Sequence, residues 1–171
     1  MKFIKRNYNY LIFSFFFVSI MCWGLEVGYS LIIRNKLAFP GIWRGPYCPI
    51  YGLTFIFAFL VVNKKDNILL NLLKIGLIVT TIEYITAFIS DEMFNNVIWD
   101  YSDKFLNLNG RICLEMSLLF TVLGMFVIYI LEPILRRIYI KIEEYIKIIN
   151  IILIVIFTSD TAINVIFSAF R

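Results

Sequence analysis

Long apolar stretches alternate with short polar breaks along the whole chain. Five stretches stand out, over residues 8–33, 49–62, 68–89, 112–131 and 148–170. At a helical rise of about 1.5 Å per residue, roughly 20 apolar residues cross a bilayer core. Four of the stretches reach that length. The second is short; it crosses only if it tilts, if the bilayer thins around it, or if it extends through Lys64. Read instead as a re-entrant segment, it leaves four spans and puts both chain ends on one side. After the fourth stretch, Glu132-Pro133 is predicted to end the helix, because proline lacks an N–H and its ring clashes one turn back. Residues 134–147, ILRRIYIKIEEYIK, place apolar and charged positions at near-helical spacing. They predict an amphipathic helix on the cytoplasmic interface, the plainer alternative being an exposed continuation of the fourth helix. The predicted fold class is all-α: a polytopic membrane helical bundle of about five transmembrane helices plus a cytoplasmic amphipathic helix, one integral membrane domain over residues 1–171.

Composition narrows the function. Apolar types make up 61% of the 171 residues and charged types 16%, against a soluble norm of about 45–50% and about 25%; mean hydropathy is +0.84. A disordered chain, a nucleic-acid binder and an ordinary soluble enzyme are excluded. The net charge of +4 matters less than where the basic residues fall. With the N-terminus inside, the cytoplasmic side holds ten: Lys2, Lys5, Arg6, Lys64, Lys65, Lys74, Arg136, Arg137, Lys141 and Lys147. The outer side holds six: Arg34, Lys36, Arg44, Lys104, Arg111 and Arg171. The bias predicts a multi-pass protein of the cell membrane with a cytoplasmic N-terminus and an outer C-terminus. The basic start imitates a signal peptide, but the apolar run is too long and no small-x-small site follows, so it reads as a retained first helix. There is no histidine, hence no imidazole base or ligand. Cys22, Cys48 and Cys113 show no zinc spacing and leave open at most one bridge, Cys48–Cys113. No metal and no cofactor is expected.

Four acidic residues fall inside apolar stretches: Glu26, Glu83, Glu115 and Asp160. Such residues are costly in hydrocarbon and need an inward face or a partner. With the orientation above, all four lie in the outer half of the membrane. Each has company at helical spacing. Glu26 shares a face with Cys22, Trp23, Tyr29 and Ser30, Glu83 with Thr80, Thr86 and Ser90, and Asp160 with Asn164 and Ser168. Glu115 stands four residues from Arg111 and is predicted to pair with it. Gly24 and Gly28 predict a close helix contact that aims Glu26 inward. The competing interpretation is that these acids are interhelical hydrogen-bonding glue and bind nothing.

Two outer loops complete the candidate site. Residues 40–52, PGIWRGPYCPIYG, carry three prolines and three glycines and predict a fixed, non-helical path. Trp43, Tyr47 and Tyr51 would anchor it at the interface and Arg44 would face the acids; the alternative is a rigid connector. Residues 91–115 hold Asp91, Glu92, Asp100 and Asp103 among turn-forming asparagines, including Asn109, and Gly110. Trp99, Asp100 and Tyr101 could fold over the site as a lid, or the loop could simply be solvated. The calcium-loop pattern of alternating acids is absent.

The strings WGLEVGY (23–29), RGPYCPIYG (44–52), IEYITAF (82–88), WDYSD (99–103) and NLNGRICLE (107–115) resemble the ABC-transporter type IV family, the CmpB-like integral membrane proteins. The resemblance covers roughly residues 23–133 and fits Asp160 more loosely. It implies a permease component of a transporter, with Glu26, Arg44, Tyr47, Tyr51, Glu83, Trp99, Asp100, Tyr101, Asn109 and Arg111 at matching positions. No phosphate-binding Gly-Lys loop is present, so the chain is not the ATPase; a separate ATPase or other membrane subunit is the implied partner, alongside the lipid bilayer and a second copy. Three functions are open. A permease component would bind a cationic or hydroxylated solute at Glu26, Arg44, Tyr47, Tyr51, Glu83, Trp99, Asp100, Tyr101, Asn109, Arg111, Glu115 and Asp160. An accessory or scaffolding subunit would bind another membrane protein. A membrane-embedded enzyme would act on lipid or envelope precursors, and is disfavoured because histidine and a metal set are both missing.

Overall fold

The computed structural model describes residues 7–33, 35–37 and 43–169. Lys2, Lys5, Arg6, Arg34 and Arg171, counted above for orientation, lie outside the described residues, as do Pro40, Gly41 and Ile42 of the first loop. The regular elements are α1 (Tyr8–Ile33), α2 (Pro49–Val61), α3 (Ile68–Phe94), α4 (Leu114–Phe126), a π-turn (Val127–Leu131), α5 (Glu132–Lys141) and α6 (Glu143–Ala169). No strand occurs among the described residues beyond a single antiparallel bridge, Leu108 to Ile112. Four segments are long and apolar enough to cross a membrane: Tyr8–Ile32, Ile68–Met93, Leu114–Lys141 and Glu143–Ile166. The fifth, Pro49–Val61, is apolar but has only 13 residues, about 20 Å of helix. Many large apolar side chains point outward, among them Leu77, Leu118, Val122 and Ile148, as expected where hydrocarbon is the solvent. The chain is an all-helical, multi-pass membrane protein.

Helix ends differ from the sequence reading in three places. α3 runs on to Phe94 rather than stopping near residue 89. Asn95 closes it in the left-handed conformation, with φ 48°, its N–H returning to Asp91 and Ser90 carbonyls; asparagine tolerates that geometry. α4 starts at Leu114, because Ile112 is held in the bridge and Cys113 is extended. Pro133 does not stop the fourth helix. The π-turn immediately before it widens the coil by one residue per turn, which absorbs the clash that a proline ring makes with the carbonyl four residues back. The helix continues to Lys141, and residues 134–147 are divided between α5 and the start of α6.

The chain divides into two compact units, residues 1–53 with 136–171, and residues 54–135. In the first, α1 packs on α6. Buried Asn150 donates to the Asn9 carbonyl at 2.9 Å, and Phe157 of α6 meets Phe15 and Phe16 edge-on. Tyr10, fully buried, lies edge-on to Tyr139 at 5.2 Å. The start of α2 lies hard against α1 at Gly52, where a Cβ would stand 2.3 Å from Ser19 Oγ and 2.5 Å from the Phe15 carbonyl oxygen. Only glycine permits that approach. The contact predicted at Gly24 and Gly28 is not made: nothing described lies within 4 Å of a Cβ at either, and that face of α1, with Leu25 and Tyr29, is exposed.

In the second unit α3 packs on α4 through small residues. A Cβ on Gly124 would sit 2.6 Å from Ile75 Cγ2, and one on Gly76 3.2 Å from Thr121 Oγ1. Asn71, with no exposed surface, donates to the Asn63 carbonyl and to the Tyr129 hydroxyl, both at 2.8 Å. The π-turn presents Tyr129 to it. Lys64 reaches buried Glu132 at 2.9 Å.

Candidate functional site

The candidate residues assemble as two clusters, one within each unit. The first joins loop 43–48 to α1 and α6. Tyr47 N–H donates to the Gly45 carbonyl at 2.9 Å, and Cys48 N–H to the Ser19 carbonyl at 3.1 Å, so the loop folds tightly onto α1. Asp160 holds it from the other side. Its Oδ2 accepts from Arg44 N–H and Gly45 N–H, each at 3.1 Å, and from the Tyr47 hydroxyl at 2.5 Å. Asn164 donates to Oδ1 at 3.3 Å. Two consecutive backbone N–H groups around one carboxylate oxygen form an anion nest. Trp43 adds an indole N–H to Thr161 Oγ1 at 3.1 Å and stacks on Phe157. Burial, with the bond to Asp160, pushes the Tyr47 phenol up, so it stays a donor. Beneath the loop the Tyr51 hydroxyl donates to Glu26 Oε1, and Cys48 Sγ lies 4.0 Å from Glu26 Oε2. Burial first, then the Glu26 charge, pushes the Cys48 thiol up to about 12. All three cysteines are free thiols, so the Cys48–Cys113 bridge left open by the sequence is not formed.

The second cluster stands where α3 hands over to the loop 95–113. Arg111 Nη2 donates to Asp91 Oδ2 at 2.8 Å and to Glu92 Oε1 at 2.6 Å. Its guanidinium lies 4.9 Å from the Phe88 ring centre and 5.8 Å from that of Tyr84. Hydrogen bonds to the two carboxylates hold Arg111 above its ordinary value. Two acids in the last turn of α3 oppose the helix dipole, and this arginine offsets them. The Arg111–Glu115 pair expected from the sequence is not made. Arg111 precedes α4, so the two never share a helical face. Glu115 is exposed, with Lys104 at 3.9 Å.

The loop is braced from within. Asp100 Oδ1 accepts from Ser102 N–H at 2.9 Å, and Tyr101 N–H donates to the Gly110 carbonyl at 2.8 Å. Trp99 Nε1–H donates to the Arg111 carbonyl at 2.9 Å, and Asn109 Nδ2 to the Tyr84 hydroxyl at 3.3 Å. Asn109 and Gly110 both have positive φ, and a Cβ on Gly110 would stand 2.7 Å from Asp100 Oδ1. The result is a cup of about 190 Å³ whose walls include Ala87, Asp91, Trp99, Asp100, Asn109 and Arg111. Glu83 lies one turn from Ala87 on the same face of α3. It is 4% exposed. The described residues give neither of its oxygens a hydrogen bond of good geometry, although the Tyr101 hydroxyl is beside it.

Glu26, Arg44, Tyr47, Tyr51 and Asp160 therefore meet in the first unit; Glu83, Trp99, Asp100, Tyr101, Asn109 and Arg111 meet in the second, with Glu115 apart on the surface. Sequence reasoning missed Tyr84, Phe88, Asp91 and Glu92 as the partners of Arg111. The helical spacing that runs from Tyr84 and Phe88 on to Asp91 and Glu92, past residue 89, was the available signal. The Lys64–Glu132 pair was missed as well; in the sequence Lys64 bears only on orientation and on the length of the second span.

A family model described as "Putative ABC-transporter type IV" matches residues 13–165. No curated protein and no solved structure matches the chain.

Proposed function

The chain belongs to the ABC-transporter type IV family, and from that premise we propose that it is a permease component receiving a small cationic or hydroxylated solute at an acid and arginine site in the outer half of the membrane. In this reading it sits in the cell membrane with its N-terminus cytoplasmic and its C-terminus outside, following the bias of basic residues. The observation that carries it is Glu83. A carboxylate 4% exposed, without a hydrogen bond of good geometry from the described residues, is costly in hydrocarbon unless a proton or a cation answers it. It lies one turn from Ala87 and two from Asp91, both of which line the cup. Asp91 and Asp100 supply negative charge there, Trp99 an aromatic face for a cation, and Asn109 an amide. Arg111, fixed by Asp91 and Glu92, orients the solute. In the first unit the Glu26–Tyr51 pair and the loop held by Asp160 form a separate polar element. Energy comes from a separate ATPase or other subunit, and a homo-oligomer supplies the further spans a permease needs.

Thermal-shift screening of the purified protein against inorganic cations, organic amines, polyols and phospholipid headgroups tests this. At least one cation or polyol is expected to stabilise wild type and to lose that effect in Glu83→Gln. If no compound separates the two proteins, Glu83 binds no solute. A second reading, an accessory subunit that holds another membrane protein, is favoured by Asp160 and Arg111, whose charges are answered by hydrogen bonds and ion pairs within their own units. Glu83→Gln with unchanged stability in every condition, together with co-purification of one membrane partner, would support it.

A further inference from the structure

We propose that the tip of the loop 95–113, Phe105-Leu106 with Leu108, is a wedge that inserts into the lipid interface. It does not depend on the solute reading. These three residues are 76%, 65% and 53% exposed, apart from the Val97-Ile98 pair near the start of the loop. The tip is rigid rather than floppy. Asn107 Nδ2 donates to the Ser102 and Lys104 carbonyls, at 3.1 and 2.9 Å, while its Oδ1 accepts from Gly110 N–H at 3.2 Å. Leu108 N–H closes onto the Ile112 carbonyl at 2.9 Å. One central asparagine thus satisfies the backbone and leaves the apolar side chains pointing outward.

The backbone makes the choice of leucine informative. Among the described residues, positive φ occurs at Asn35, Asn95, Asn109, Gly110 and Leu106. Asparagine and glycine tolerate that conformation, whereas an aliphatic side chain is strained in it. Leu106, with φ 50°, accepts the strain and still exposes 65% of its surface, so internal packing gains little from having leucine there. A neighbouring apolar phase accounts for it. Position identifies that phase. Lys104 Nζ lies 3.9 Å from Glu115 Oε2, and Glu115 is in the first turn of α4. With Leu108 also bridged to Ile112, the tip stands beside the start of α4, where the exposed apolar face of that helix begins at Leu114 and continues through Leu118 and Val122. That face meets hydrocarbon, and the wedge is continuous with it. Lys104 beside the tip suits phosphate headgroups.

The test is depth-resolved fluorescence quenching. Wild type and Phe105→Trp are reconstituted into phosphatidylcholine–phosphatidylglycerol vesicles, and emission from the native Trp23, Trp43 and Trp99 is subtracted. The added indole is expected to lose emission to lipids brominated near the top of the acyl chain, less to lipids brominated near its end, and little to aqueous iodide. Quenching by iodide without quenching by brominated lipid overturns the proposal, because the tip is then in water. Protection from both quenchers also overturns it, because a protein surface, a second copy or another partner, then covers the tip. Leu106→Gly supplies a separate readout. Its melting temperature in detergent is expected to equal or exceed that of wild type, since strain is relieved and no internal packing is lost. A lower melting temperature would mean that Leu106 packs within the protein, and the wedge fails.

Discussion

Asp160 is the best single handle on the first cluster. Its Oδ2 gathers two backbone N–H groups and the Tyr47 hydroxyl. A hydrogen bond to an ionised acceptor contributes about 1.5–3 kcal/mol and a neutral one about 0.5–1.5 kcal/mol. Asp160→Asn keeps the shape and one acceptor oxygen, so each of the three bonds weakens by roughly 1 kcal/mol. Asp160 is part-exposed and neighbouring bonds do not add fully, so the sum is about 2 kcal/mol rather than three. That is roughly a 30-fold shift in the opening equilibrium of the loop. Asp160→Ala strands all three donors and should shift it further. Cys48 reads the opening directly. It is 5% exposed, its N–H is tied to the Ser19 carbonyl, and its thiol is pushed up to about 12 by burial and the Glu26 charge. Near pH 8 the closed form holds almost no thiolate, so alkylation must pass through the open form, where the thiol returns toward its ordinary value near 8.5. The assay is the rate of maleimide labelling at Cys48, located by peptide mass spectrometry, with Cys113 of the second unit as internal control. Asp160→Asn is expected to speed Cys48 labelling about 30-fold and to leave Cys113 unchanged. A rate for Asp160→Ala within about twofold of wild type would refute the claim that this carboxylate holds the loop closed.

Other changes separate close packing from open surface. Gly52→Ala drives a Cβ into Ser19 Oγ and the Phe15 carbonyl and should destabilise by about 1–3 kcal/mol or more, with only partial recovery from Ser19→Gly because the carbonyl remains; thermal melting in detergent reads both. Gly24→Ala meets open space and should raise stability by up to about 1 kcal/mol through helix propensity. Glu132→Gln keeps an acceptor but removes the charge opposite Lys64, whose side chain is 28% exposed, and should cost about 1–2 kcal/mol, much of it regained in the double variant Lys64→Met with Glu132→Leu. Arg111→Lys breaks the twin contact to Asp91 and Glu92 and should open the loop 95–113 to limited proteolysis, whereas wild type resists.

The apolar pattern revealed the helices because a bilayer demands length before anything else: the first and third stretches lie within a few residues of their predicted bounds, the last starts five residues early, and the fourth runs ten residues past its predicted end. The ends were harder. Residues 91–94 read as loop because Asp91 and Glu92 are charged, yet a helix continues wherever something answers its last turn, and Arg111 does so from twenty residues away. Pro133 read as a stop because local rules assume a regular α-helix; the π-turn before it is a tertiary accommodation with no strong local signature. Asp160 and Glu26 were legible as costly acids. Their partners were not, since Tyr47, Gly45 and Tyr51 approach them through the fold of a proline-rich loop rather than along a helix face. Glu115 shows the opposite error. Spacing suggested a pair with Arg111, but the i to i+4 rule holds only when both residues are in the helix.

The four acids singled out by sequence end in four different circumstances. Asp160 is saturated by a loop. Glu26 takes the Tyr51 hydroxyl. Glu115 stands exposed beside Lys104. Glu83 is buried without a hydrogen bond of good geometry from any described residue. Cost arguments apply unequally to these cases. A saturated or exposed carboxylate is tolerated for structural reasons alone, so its presence says little about binding. A buried one without a well-formed hydrogen bond is maintained against a penalty that an apolar side chain would avoid. That asymmetry moves the functional weight from the group of four to Glu83. It also separates the roles of two substitutions: Asp160→Asn should loosen the protein, whereas Glu83→Gln should leave it as stable or more so and remove its response to a ligand. Were Glu83→Gln instead to unfold the second unit, the carboxylate would be holding α3 in place, and the solute site would have to be sought elsewhere.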